Sequence, residues 1–155
     1  MKKTIILGVG NPILRDDGVG IHVAEELKKL IKKPGITIDN AFTGGMNLLD
    51  LIVDHDRAIL IDAVKLKNKK LGDVNLFELG KISTFHASNP HDASLLEAIG
   101  LAKKLGNSRI PNDIKIVGIN IGELNCEFGE ELSKEIEKAI PKAVELVEKE
   151  VKRDE

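Results

Sequence analysis

The sequence predicts an α/β layer sandwich, a sheet with helices on both faces. Three observations carry that prediction. Segments rich in β-branched residues alternate with amphipathic ones, the first apolar run is short and ends at Gly10-Asn11-Pro12, and a strongly apolar strand recurs near residues 114–121. The 155 residues suit a single compact domain, 1–155, and no repeat, low-complexity tract or linker divides them.

Residues 4–9 form the first strand, and a glycine-containing loop leads from it to a helix over about residues 19–33. Val19, Val23, Leu27, Leu30 and Ile31 make the buried stripe of that helix. Pro34-Gly35 stops it, and Ile36-Thr37-Ile38 begins a second strand. Thr43-Gly44-Gly45 introduces a short helix carrying Met46, Leu48, Leu49 and Ile52. A third strand covers residues 58–64. After a solvated connection at 65–70, residues 73–79 alternate as a sheet-edge strand does. The aperiodic stretch 80–90 reads as a functional loop, with His86 shaping access, and Asp92 caps a helix over about 93–105 closed by Gly106-Asn107. Residues 114–121 supply an inner strand. The last helix spans about 130–152, with Leu132, Ile136, Ile140, Val144 and Val147 on one face and Pro141 inside as a point of kinking or division.

Composition excludes several classes of function. With 42% hydrophobic and 31% charged residues the chain is an ordinary soluble protein, and no run reaches membrane-spanning length. The formal charge of −2, interspersed Lys and Glu, and the absence of Trp and Tyr leave neither a basic stripe nor stacking platforms, so nucleic acid and membrane are not expected partners. Gly8 and Gly10 interrupt the opening apolar run too early for a signal peptide. Cys126 is the one cysteine, which fits a reducing cytoplasm and rules out an intramolecular disulfide.

The loop GVGNPILRDDGVG, residues 8–20, invites a dinucleotide reading, yet it lacks the third glycine and places Asp16 and Asp17 where their charge repels phosphate. No GxxxxGK[ST] exists, so no nucleotide is expected. Those loop carboxylates are metal ligands or charges favoured by a helix N-terminus. Asp62 is more telling, because a carboxylate inside the apolar strand Ile59-Leu60-Ile61-Asp62-Ala63-Val64 costs several kcal/mol unless a cation or donors satisfy it. His91 precedes a predicted helix as a candidate imidazole ligand. Two carboxylates and one imidazole suit nickel or zinc with open positions. No HExxH or cysteine-based zinc pattern competes, and Ser83, Ser88 and Ser94 have no GxSxG elbow.

The chain resembles the nickel-iron hydrogenase maturation proteases. The resemblance rests on residues 8–20, Thr43-Gly44-Gly45-Met46, Ile61-Asp62-Ala63, Pro90-His91-Asp92 and IVGINIGEL at 116–124, in the right order along essentially the whole chain. It implies a three-layer α/β/α sandwich with a twisted, mostly parallel sheet of about five strands. It also implies an endopeptidase that removes the C-terminal tail of a hydrogenase large-subunit precursor after nickel insertion. The metal-contacting and catalytic roles fall on Asp17, Asp62 and His91, and the nickel belongs to the substrate. The chain departs from the family at Asn40-Ala41-Phe42, where members often carry an Asp and a Gly. A monomer in the cytoplasm is expected. The alternative is a metal-responsive chaperone that docks on a metalloenzyme precursor without cutting it.

Overall fold

A computed structural model of the chain describes residues 2–42, 46–66, 68–79, 95–122 and 127–153. His86, His91, Asp92, Cys126, Ser83, Ser88, Ser94 and the Thr43-Gly44-Gly45 turn lie outside the described residues.

Ten elements are described: β1 (Thr4–Val9), a 3-10 turn (Arg15–Gly18), α1 (Val19–Leu30), β2 (Ile36–Ala41), α2 (Met46–Ile52), β3 (Arg57–Val64), β4 (Val74–Glu78), α3 (Leu95–Lys104), β5 (Asp113–Asn120) and α4 (Lys134–Lys152). The strands make one sheet in the order β2-β1-β3-β5-β4. β1 runs parallel to β2 and β3, and β3 parallel to β5, while β4 lies antiparallel on β5 at the edge, as its alternation predicts. Every residue of β1 and β3 is buried, because helices cover both sides of these central strands.

Side chains of each strand divide between two cores. Ile6, Ile59, Ile61, Val117 and Ile119 pack with Val23 and Leu27 of α1 and with Ile136, Ala143 and Val147 of α4. Ile5, Leu7, Leu60 and Ile116 face the other way, against Leu48, Leu49 and Ile52 of α2 and Ala98, Ile99 and Ala102 of α3. The result is the three-layer α/β/α arrangement, α1 and α4 on one face, α2 and α3 on the other.

Some element bounds differ from the sequence reading. α1 ends at Leu30, short of residue 33, since Ile31 already has an extended backbone and the residue before Pro34 disfavours helical geometry. Leu30, expected in the buried stripe, is 59% exposed at the helix end. Pro141 does not divide α4, which is continuous from Lys134 to Lys152 and starts later than residue 130. The loop after β1 contains a 3-10 turn that no hydrophobic period announced.

At the N-terminal edge of the sheet a charged cluster is buried. Arg57 Nη2 donates to Glu150 Oε1 at 2.7 Å and to the Glu150 carbonyl at 2.9 Å, and its Nε lies 3.3 Å from Asp113. Lys115 Nζ reaches the same Oε1 at 2.7 Å and Arg153 at 3.0 Å. Burial pushes the Glu150 carboxyl up, but the Lys115 hydrogen bond and the charges of Lys115, Arg153 and Arg57 outweigh it and hold the group below the usual glutamate range.

Candidate active site

The C-terminal edge of a parallel sheet gathers the loops that follow its strands, and a crevice forms there when successive strands are added on opposite sides of a common neighbour. β2 lies on one side of β1 and β3 on the other, so the crevice stands at the ends of β1 and β3. Gly8 is level with Ile61 in the β1–β3 register, which puts Asp62 one step beyond it, where β1 is ending. By strand alternation Asp62 shares the face of Ala58 and Leu60, toward α2 and α3. It is 4% exposed.

Asp17 comes to the same edge on the 3-10 turn after β1, and is 3% exposed. Its Oδ2 accepts from the amide of Asn11 at 2.9 Å, which folds the loop back on itself. Gly10 has φ 149°, and a Cβ there would meet the Asp17 carbonyl at 2.2 Å. At Gly20 the crowding comes from the sheet: a Cβ would stand 2.2 Å from the Ile61 carbonyl and 2.7 Å from that of Val9. The first turn of α1 therefore rests directly on the backbone of β1 and β3. These glycines serve close backbone packing, where a nucleotide fold would use them to approach pyrophosphate.

Asp16 does different work from its neighbour. Its Oδ1 accepts from the Ser133 amide at 2.7 Å and its Oδ2 from the Ser133 hydroxyl, so it ties the 3-10 turn to the start of α4. The segment before α4 is stitched to the same loop: the amide of Gly129 donates to Ile13 O at 2.8 Å and that of Arg15 to Gly129 O at 2.9 Å. Arg15 adopts φ 47° within this double contact.

Asn120, buried at the end of β5, holds the loop that follows β3 and the start of its own. Its Nδ2 donates to the carbonyls of Lys69 at 3.1 Å and Lys70 at 3.0 Å, and its Oδ1 accepts from Leu66 at 3.1 Å and Gly122 at 3.2 Å. Sequence reasoning passed over this residue and over the Asp16–Ser133 link. The argument that singled out Asp62, a polar group within an apolar strand, extends in weaker form to the neutral amide of Asn120.

Of the three predicted site residues, Asp17 and Asp62 arrive at one edge from adjoining strands, and His91 lies outside the described residues. Among the described residues no three His, Cys, Asp or Glu side chains group as metal ligands. Buried carboxylates at a crevice can bind a cation or take a proton from an attacking water.

Known proteins share this frame. The chain is 26% identical to hydrogenase 2 maturation protease of Escherichia coli over 130 residues, 82% of this chain and 78% of that one. Its fold superposes on the hydrogenase maturating endopeptidase HybD from E. coli with a TM-score of 0.82 at 26% identity, covering 98% and 93% of the two chains. The [NiFe] hydrogenase maturation protease HybD from Thermococcus kodakarensis is similar at TM-score 0.64 and 25% identity, with 95% and 97% covered. Residues 21–150, from within α1 to the last turn of α4, match the family described as hydrogenase maturation protease, and the chain belongs to that family of peptide hydrolases.

Proposed function

We propose that this protease removes the C-terminal tail of a nickel-iron hydrogenase large-subunit precursor once nickel has been inserted, and that Asp17, Asp62 and His91 contact that nickel. The observation that carries the reading is the arrival of two buried carboxylates, from the loop after β1 and the end of β3, at the crevice of a peptide-hydrolase fold. Membership of the family favours cutting over a chaperone that merely docks. A relative named as a [NiFe] hydrogenase maturation protease supports the kind of substrate.

Carboxylate oxygens and an imidazole bind nickel at about 2.0–2.2 Å and leave positions open for ligands already on the metal. Three protein ligands without a fuller shell suit a metal that arrives with the substrate and leaves with it. The free protein therefore binds nickel weakly. In this reading a carboxylate at the crevice accepts the proton of water attacking the scissile carbonyl, which a substrate nickel would help to polarise. The protease acts as a monomer in the cytoplasm, where its lone thiol stays reduced.

The test incubates purified protein with nickel-free and nickel-loaded precursor and follows the large subunit by mass spectrometry. Loss of a C-terminal peptide from the loaded form alone is expected. Equal shortening of both forms would sink nickel sensing, and no shortening of either would sink the processing role.

A further inference from the structure

Large apolar side chains left in water are not scattered evenly over this fold. Ile13 follows β1, Phe42 follows β2, Leu71 follows β3 and Phe128 follows β5, and all four are exposed, Phe42 by 60% and Phe128 by 83%. Each loop leaving the C-terminal edge from a parallel strand thus carries one. The other exposed large apolar residues among those described are Leu30 at the end of α1 and Leu101 and Leu105 toward the end of α3. Aromatic side chains make up only 3% of the chain, so two phenylalanines kept in solvent at one edge call for an occupant.

Three of these four positions lie on backbone that is held in place. Gly129, next to Phe128, bridges Ile13 and Arg15 through backbone hydrogen bonds. Leu71 belongs to the loop clamped by Asn120, and Gly72 lies against the first turn of α4, since a Cβ there would come within 2.8 Å of the Glu135 carbonyl. The charge of this edge is split. Exposed Lys65, Lys69 and Lys70 flank Leu71, whereas exposed Glu127, Glu130 and Glu131 flank Phe128.

We propose that this edge is a docking face for the folded body of the hydrogenase precursor: the four apolar side chains seat it, and the opposed lysine and glutamate flanks set its orientation. The proposal rests on the processing role given above. A partner that fits presents apolar pockets around its tail, with acidic groups toward residues 65–71 and basic groups toward residues 127–131. Aromatic anchors supply affinity, and the charge flanks supply register and association rate. A loose peptide tail would need neither a rim spread over four loops nor a charge dipole across it.

Binding is separated from cutting by working in the Asp62→Asn background and titrating nickel-loaded precursor. Adding Phe42→Ser with Phe128→Ser should raise Kd at least tenfold, while Leu105→Ser, on the opposite side, should leave it within twofold. Lys69→Glu with Lys70→Glu should weaken binding and flatten its dependence on salt. Thermal unfolding should show all these surface variants folded. An unchanged Kd in the phenylalanine double variant overturns the docking face. If the wild type binds precursor with the expected sensitivity to Phe42 and Phe128 but never shortens it, docking stands and the processing role falls.

Discussion

Glu150 and Asp62 are equally withdrawn from water, 5% and 4% exposed, at opposite edges of one sheet. Glu150 receives Arg57 from β3, Lys115 from β5 and Arg153 from just beyond α4, so three cations from separate parts of the chain converge on one carboxylate. Asp62 stands at the crevice where β1 ends, the edge to which the loop after β1 brings Asp16 and Asp17, which take hydrogen bonds from the amides of Ser133 and Asn11. Burial of a carboxylate therefore does not by itself mark function. Its place relative to the strand order does, because ligands bind outside the carboxyl ends of the strands in a parallel sheet.

The sharpest way to break this contrast is to remove Arg57. Arg57→Ala leaves Glu150 buried with fewer cations and should lower stability by about 3–5 kcal/mol, read from urea unfolding, with processing by the folded fraction unchanged. Asp62→Asn or Asp17→Asn should do the reverse, slowing processing about a hundredfold, or about 2.7 kcal/mol in barrier, without lowering the unfolding midpoint. A loss of stability on the scale of Arg57→Ala would move Asp62 to the structural side of the comparison.

Acid sharpens the contrast at a smaller scale. Because the folded Glu150 carboxyl is held below its ordinary value, its stabilisation is complete above the unfolded glutamate pKa, about 4.3, and is lost as pH falls through the folded value. Glu150→Gln should cost about 1.5–3 kcal/mol at pH 7, and the gap from wild type should close below about pH 4. A gap independent of pH would mean that the carboxylate charge contributes nothing. The smallest effect is expected for Ser133→Ala, about 1 kcal/mol, since Asp16 keeps its bond to the Ser133 amide.

What the sequence disclosed follows from distance along the chain. β1 has its predicted bounds, since a short apolar run ending in Gly-Asn-Pro is read locally. Asp62 stood out because burying a carboxylate in an apolar strand is costly wherever the strand lies. Asp16 and Asp17 could not be separated by such reasoning. What distinguishes them is Ser133, 117 residues away from Asp16. Arg57 and Glu150 are 93 residues apart, and Glu150 sits in a helix whose lysines and glutamates all look solvated in sequence. Leu30 fits the helical period but is the last residue of α1 and stands exposed at its end, since periodicity does not register the backbone restriction before Pro34.

The antiparallel edge strand bears on how the chain is made. Among the described strands β4 hydrogen-bonds to β5 alone, yet it leaves the ribosome before β5 does. β1, α1, β2 and β3 can pair as they emerge, while Val74–Glu78 has no strand to join until residues 113–120 have been synthesised and have slotted beside β3. The second half of the sheet therefore closes in one late step, in which β5 gains both neighbours at once. A nascent chain stalled between those points would expose the apolar Val74, Leu76 and Phe77 to cellular chaperones.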